Sequence, residues 1–330
     1  VGAIVHQTRN CAPCGTGWAG LVDIDIARKH YRSSMPEGDT LYRTATVLRE
    51  FLHGREVTAA RGRPDGAALG RVVGSRVNRV ESQGKHLLIG FDNGMTLHTH
   101  LRMNGSWHRY RTGERWQRSP SRAVAVIEVP GAVAVCFDAP TVELLETRAL
   151  TVHPALKALG PDLLASDPDL EGAVGRLGAP ERANSTIAEA LLDQRALAGI
   201  GNVYRSELLF IERVDPFLRV RDVSPGDLER LVRTGARLLR ANANDPSRQT
   251  VPDALGAEPG ALGTVGPRGP KSRLWVYGRL GRPCRRCGAL IRSTTLGTDL
   301  PRRLYWCPGC QHTGSGAARG IPPAEAGARV

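Results

Sequence analysis

The chain has 330 residues, with 45 Lys and Arg against 32 Asp and Glu, a formal net charge of +13 and a sequence pI near 10.0. Hydrophobic residues make up 41% and charged ones 23%, which excludes wholesale disorder, and the length suits two or three domains with their own cores. No apolar run approaches the ~18 residues of a membrane span, and residues 1–34, with Asp23, Asp25 and Arg28, do not read as a signal peptide.

Residues 1–34 show no clear period. Met35-Pro36-Glu37-Gly38-Asp39-Thr40 follows, and Leu41, Ala45, Leu48 and Leu52 then recur at helical spacing, with Gly54 as the stop. Beyond that the period is two. Strands are predicted at Val57–Ala60, Arg71–Val80, His86–Phe91, Met95–His100, Ala123–Val129 and Val133–Phe137, parted by turns such as Asp92-Asn93-Gly94. The expectation is one helix and an antiparallel β domain over 35–153.

Residues 154–170 are rich in Pro and Asp and read as a linker. Thr186-x-x-Glu189 is a capping box that opens Ile187–Asp193. A second helix is predicted from about Val203 to Ile211, and a third, opened by Ser224-x-x-Asp227, to about Ala243. Residues 244–270, rich in Gly, Pro and Ala, read as a flexible surface loop, which completes a helical domain over 154–272. Residues 273–312 form the last ordered unit, and the low-complexity tail 313–330 is expected to be disordered.

That last unit carries Cys284-x-x-Cys287 and Cys307-x-x-Cys310. Each pair fits one knuckle turn, and two knuckles on a hairpin close a tetrahedral four-thiolate zinc site. With all four positions taken by sulfur the ion would be structural. Chance pairs, or disulfides in a secreted protein, are the alternative. Cys136, inside an apolar run, reads as a buried small hydrophobe, and Cys11-x-x-Cys14 as an incidental pair. The excess positive charge is the footprint of a nucleic-acid partner. Arg far exceeds Lys, so the arginine usage of a high-GC genome would give the same balance.

Four segments together carry a family resemblance: Met35-Pro36-Glu37-Gly38; Gln83-Gly84-Lys85-His86-Leu87-Leu88; Asp193-Gln194-Arg195-Ala196-Leu197-Ala198-Gly199-Ile200-Gly201-Asn202-Val203-Tyr204; and Val276-Tyr277-Gly278-Arg279 leading into the cysteine pairs. In this order, from Met35 to Gln311, the chain resembles the formamidopyrimidine-DNA glycosylase and endonuclease VIII family. The ending Trp306-Cys307-Pro308-Gly309-Cys310-Gln311 is similar to the endonuclease VIII branch, and Pro-Glu-Gly-Asp-Thr to its actinobacterial subgroup. The resemblance implies an α+β multidomain fold. Its parts are an N-terminal helix with an antiparallel β-sandwich, a helix-two-turn-helix domain, and a zinc-ribbon hairpin.

It also implies roles. Pro36, made N-terminal by removal of Met35, would carry a secondary amine. An α-amino group titrates at roughly 7.7–8.0, so it is partly unprotonated and nucleophilic near neutrality. By resemblance Glu37 assists as acid and base, Lys85 reaches the substrate phosphate and sugar, and Asn202 and Arg302 grip the phosphates flanking an extruded nucleotide. Arg102, Met103 and Asn104 would form the loop that wedges into the helix the nucleotide leaves. Read locally, Pro36 is a helix N1 proline, Glu37 a first-turn carboxylate, Lys85 and Arg302 solvated cations, Asn202 a helix cap and Met103 a core residue. Arg303 adjoins Arg302, so the register could slip by one, and Thr40 stands where many relatives have a second glutamate.

The implied activity is that of a bifunctional DNA glycosylase and AP lyase on damaged double-stranded DNA, with one structural zinc, in a monomeric bacterial cytoplasmic protein. Oxidised pyrimidines are favoured over oxidised purines, with β,δ-elimination at the abasic site. Residues 1–34 are read as a mis-set gene start. Were they retained, Pro36 would be an amide and the protein a damaged-DNA binder without catalysis.

Overall fold

A computed structural model describes residues 36–245, 248–251, 273–297 and 301–312. The expectations for residues 1–34, for most of the loop 244–270 and for the tail 313–330 lie outside the described residues.

Helix α1 (Gly38–Leu52) buries Leu41, Ala45, Leu48 and Leu52, the residues whose spacing predicts it. Gly54 then takes φ +75°, a left-handed conformation that turns the chain away. Eight strands follow: β1 (Ala59–Gly62), β2 (Val77–Gln83), β3 (His86–Phe91), β4 (Met95–His100), β5 (Ser106–Arg111), β6 (Ala123–Val129), β7 (Ala132–Phe137) and β8 (Thr141–Glu146). They form two antiparallel four-stranded sheets, ordered β1-β6-β7-β5 and β2-β3-β4-β8. Strands β3 and β7, inside their sheets, are buried at every residue. Leu87, Ile89 and Leu97 of one sheet meet Ile127, Ala134 and Cys136 of the other in a core closed by α1. Cys136 is therefore the buried hydrophobe it reads as.

The predicted run Arg71–Val80 divides here. Leu69–Val72 is a 3₁₀ turn, Gly74 sits at φ +80°, and the strand starts only at Val77. Strands β5 and β8 escape the sequence pattern because each is an edge with one paired side, and neither alternates cleanly in burial.

Past a short helix α2 (Pro154–Lys157), the helical unit comprises α3 (Leu170–Leu177), α4 (Ile187–Ala190), α5 (Asn202–Ile211) and α6 (Pro225–Ala241). Thr186 and Glu189 make the capping box reciprocally, and Ser224 caps α6 through the N–H of Asp227. The segment 154–170 is not a solvated linker. Leu163 and Leu164 are buried in the helical core, and the Asp162 carboxylate accepts N–H groups from Leu164 and, across the domain boundary, from Gly84. Strands β9 (Arg292–Leu296) and β10 (Arg302–Trp306) form the final hairpin, and Leu304 and Trp306 enter the core of Leu197, Tyr204 and Leu239.

Candidate active site and nucleic-acid interface

The site begins where α1 meets α5. The Gly38 N–H donates to the Gly199 carbonyl at 2.9 Å. A Cβ on Gly38 would lie 2.8 Å from Gly199 Cα, and one on Gly201 would lie 2.4 Å from Glu37 Cδ, so glycine is required on both sides of this contact. Glu37 is completely buried. Its carboxylate accepts the backbone N–H groups of Gly201, Val203 and Tyr204 at 3.0, 2.8 and 3.3 Å. These are the orphan donors at the start of α5, where the helix dipole favours an anion. Pro36 is buried beside it and precedes the helix N-cap, Glu37, so it is not a helix N1 proline; nor is Glu37 merely a first-turn charge.

Lys85 sits at the tip of the β2–β3 hairpin. Gly84, at φ +57°, makes the turn, with its N–H on Asp162 and its Cα face against Ala198. Burial pushes the Lys85 ammonium down to about 8, against the pull of Glu37 and with the help of the Arg302 and Arg248 charges. These charges place Lys85 among Glu37, Asp39, Arg248 and Arg302.

Asp39 and Arg248 were not anticipated from sequence. Arg248 clamps Asp39 with Nε at 2.8 Å and Nη2 at 2.5 Å, and Nη2 also reaches Thr40 Oγ1 at 3.1 Å. The Tyr204 hydroxyl donates to the same carboxylate at 3.1 Å, and its ring lies 5.0 Å beneath the guanidinium. Arg248 holds the Asp39 carboxyl below its usual range although burial opposes this. Thr40 thus contributes a hydroxyl to the cluster, and the neighbouring Asp39 supplies the carboxylate. Arg248 falls in a loop with no periodicity, so nothing in the sequence marks it. Asp39, an acid at the head of an apolar-periodic helix, looks like an ordinary dipole charge.

Asn202 opens α5 without capping it. The N-cap is Gly201, and Asn202 Nδ2 instead donates to the Arg303 carbonyl at 2.9 Å. Its Oδ1 accepts from Nη2 of Arg205, a fully buried arginine whose guanidinium is pushed down to about 10 by burial. The register of the hairpin separates the two arginines at its start. Arg302 Nη1 reaches Met103 Sδ at 3.2 Å, whereas the Arg303 side chain is exposed and only its carbonyl faces Asn202. Met103 is 54% exposed and is therefore no core methionine. It stands between Arg102, which takes φ +49° and donates its N–H to His100 Nδ1, and the exposed Asn104.

Beneath this loop lies a histidine column that sequence reasoning missed. His86 faces His100 across β3 and β4, and His98 faces Glu143 across β4 and β8. His86 Nδ1 and His98 Nε2 are 2.8 Å apart, and the Glu143 carboxylate takes His98 Nδ1 at 2.8 Å and His153 Nε2 at 3.2 Å. Burial holds His86 down to about 3 and His100 down to about 4. The i, i+2 spacing of His98 and His100 on one strand face was the available signal.

The four hairpin cysteines come together. Their Sγ atoms all lie within 4.8 Å of one another, with Cys287–Cys307 at 3.4 Å and Cys284–Cys310 at 3.9 Å, and none is in a disulfide. Four convergent thiols without a bond between them suit a soft tetrahedral metal ion. The hairpin is tied to α5 by Glu207, a buried carboxylate that accepts the N–H groups of Trp275, Val276 and Tyr277 at 2.7, 2.9 and 2.8 Å. That explains the Val276-Tyr277-Gly278-Arg279 segment. The cysteines thereby set where β10, and with it Arg302, stands.

Pro36, Glu37, Lys85, Asn202, Arg302 and Met103 thus converge from three units of the chain. The sequence matches the formamidopyrimidine-DNA glycosylase N-terminal domain over residues 35–140 and the formamidopyrimidine-DNA glycosylase H2TH domain over residues 159–250. It is 41% identical to endonuclease 8 2 of Mycobacterium tuberculosis, covering 84% of this chain and 100% of that protein. The chain belongs to the formamidopyrimidine-DNA glycosylase and endonuclease VIII family. The DNA-(apurinic or apyrimidinic site) lyase Nei2 of Mycolicibacterium smegmatis is 37% identical over 84% of this chain and 99% of its own. Among solved structures, MutM in complex with DNA containing carbocyclic 8-oxo-G shares the fold, with a TM-score of 0.68, 20% identity, and coverage of 84% of this chain and 100% of that one. As a family member, the protein is a DNA glycosylase and AP lyase with a cysteine-cluster hairpin, similar to the endonuclease 8 2 and Nei2 proteins.

Proposed function

We propose that this glycosylase removes oxidised bases, pyrimidines foremost, from duplex DNA and then cuts the strand by β- and δ-elimination. The chemistry requires Pro36 to be the first residue, so that its nitrogen is an amine. That amine attacks C1′ of the extruded nucleotide as the C1′–base bond breaks; the nitrogen then loses its proton, the C1′–O4′ bond opens with a proton delivered to O4′, and an iminium links protein and sugar. The iminium acidifies the C2′ protons, and loss of one of them expels the 3′-phosphate; a second elimination expels the 5′-phosphate.

Glu37 is the general acid and base beside the amine, held in place by the head of α5. Lys85 carries positive charge to the phosphate and sugar. Asn202, held by its Nδ2 bond to the Arg303 carbonyl and by the Tyr277 hydroxyl, stands at the head of α5, where a phosphate oxygen is favoured. Arg302, whose Nη1 meets the replaceable Met103 sulfur, offers a guanidinium fork to the same phosphates. Met103, exposed and flanked by Arg102 and Asn104, supplies apolar area to the gap left in the helix. Cys284, Cys287, Cys307 and Cys310 would hold one zinc ion, whose contribution is structural. The partner is damaged double-stranded DNA, and the net charge of +13 favours its phosphates.

The single observation that carries this reading is the docking of Pro36-Glu37 onto the start of α5 with Lys85 alongside. The test is borohydride trapping on 5-hydroxyuracil and abasic duplexes, with zinc-loaded protein beginning at Pro36. A covalent protein–DNA adduct is expected, and none from correctly processed protein would refute the reading. Faster excision of 8-oxoguanine opposite cytosine than of 5-hydroxyuracil would refute the pyrimidine preference.

A further inference from the structure

Arg205 and Arg248 both keep guanidinium nitrogens without a hydrogen-bond partner among the described residues, and that of Arg248 lies beside Glu37. The Arg248 side chain is 9% exposed. Nε and Nη2 are committed to Asp39 and Thr40, and the plane is fixed over the Tyr204 ring. Among the described residues Nη1 has no hydrogen-bond partner. Its nearest acceptor is Glu37 Oε1, at 3.6 Å, a carboxylate already occupied by three backbone N–H groups. A buried donor left unsatisfied costs free energy, and sites retain such groups where a ligand completes them. Nη1 stands 3.6 Å from the carboxylate of the residue that follows Pro36.

We propose that Arg248 is a catalytic residue of the glycosylase step, donating from Nη1 to the carbonyl oxygen beside the glycosidic nitrogen of a 2-oxopyrimidine lesion. This rests on the function proposed above and narrows its substrate chemistry. As the Pro36 lone pair forms the C1′–N bond, the C1′–N1 bond breaks and its electron pair passes to the base. The pair spreads over N1, C2 and O2, so the oxygen becomes a better acceptor in the transition state than in the substrate. A fixed guanidinium strengthens its hydrogen bond at that moment with no reorganisation. Arginine does not give up its proton. The base therefore departs as an anion and takes a proton from water after release. Asp39 is a positioning residue in this scheme, because it holds the fork that aims Nη1.

The scheme separates the two activities. An abasic site has no base to expel, so elimination from it does not use Arg248. With zinc-loaded protein beginning at Pro36, Arg248→Met should slow single-turnover excision of 5-hydroxyuracil by about 10²-fold, the usual effect of losing one such donor. Nicking of a preformed abasic site, and affinity for an abasic-analogue duplex, should fall far less than excision, although both lose the Arg248 charge beside Lys85. Arg248→Lys should recover part of the excision rate. Because Arg248→Met leaves Asp39 buried without its partner, the double variant Asp39→Asn/Arg248→Met, which removes both charges, should show the same split. Equal losses on both substrates in the double variant, or undiminished excision in Arg248→Met, would overturn the proposal. Wild-type protein that neither traps nor nicks abasic DNA would instead overturn the function on which it rests, and this inference with it.

Discussion

Glu37 Oε1 accepts the backbone N–H of Val203 at 2.8 Å across 166 positions of chain. A side chain of the β domain is thus held by the main chain of the helical domain. The acid–base residue is placed by a helix terminus, which cannot change rotamer, and the contact tolerates no extra atom between Glu37 and Gly201.

Gly201→Ala is accordingly expected to disable the enzyme while leaving it folded. The new methyl would need the space of Glu37 Cδ, and overpacking of this kind costs about 1–3 kcal/mol. Borohydride trapping should fall more than about tenfold, since an ångström of displacement at a reacting group costs up to roughly 10²-fold. The urea midpoint should drop only modestly. Wild-type trapping by this variant would show that Glu37 does not act from its buried position.

Lys85 sets a pH limit. Its ammonium, lowered to about 8, is charged below that value and loses its charge as pH rises through it. The Pro36 amine works in the opposite sense, gaining reactivity as pH rises through roughly 7.7–8.0. The product is a narrow bell in kcat/KM on abasic duplex. Lys85→Arg, charged throughout, should remove the falling limb and leave the rising one. A falling limb unchanged in that variant would assign it to another group.

The histidine column makes the fold sensitive to acid. His86 and His100 titrate in the folded protein at about 3 and about 4, below the ordinary 6.5. Between those values the unfolded chain binds protons that the folded chain refuses, so stability is lost as pH falls below about 6.5. The neighbours His98 and His153 and the Arg102 charge reinforce this, and Glu143, accepting from His98 and His153, opposes it. Urea midpoints should fall from pH 7 to pH 5, and His86→Phe should flatten the slope. An unaltered slope would place the acid sensitivity elsewhere.

Arg302 and Arg303 should behave differently although adjacent. Arg302→Ala removes a guanidinium aimed across the site at Met103 and should weaken binding to damaged duplex, reducing the salt dependence by about one phosphate contact. Arg303→Ala removes an exposed side chain whose carbonyl contact to Asn202 survives, and should leave affinity close to wild type. Equal effects would restore the one-residue ambiguity in register. Cys287→Ser, or removal of the metal by a chelator, should reproduce the Arg302→Ala defect by releasing the hairpin. Full binding after demonstrated metal loss would contradict a structural ion.

The legible parts of this chain share a physical origin. Leu41, Ala45, Leu48 and Leu52 announce α1 because one face of the helix does one job. The cysteine pairs are readable because knuckle geometry dictates their spacing. Arg248 and Asp39 stay hidden because their meaning lies in a contact 209 positions apart. Glu207 is hidden for the same reason, although a carboxylate directly before the apolar run Leu208–Ile211 was a hint. The segment 154–170 misled because Pro and Asp signal a break in regular structure, not its exposure. Here Leu163 is buried and the half-buried Asp162 carboxylate takes two backbone N–H groups.

The loop 194–201 receives Glu37 and Gly38 from α1, Gly84 from the β2–β3 hairpin and Asp162 from the domain junction. Four attachments on eight residues join the two large units here. Glu37 and Lys85 thus stand at the seam between the two large units, so a change at that seam moves the acid–base residue with it.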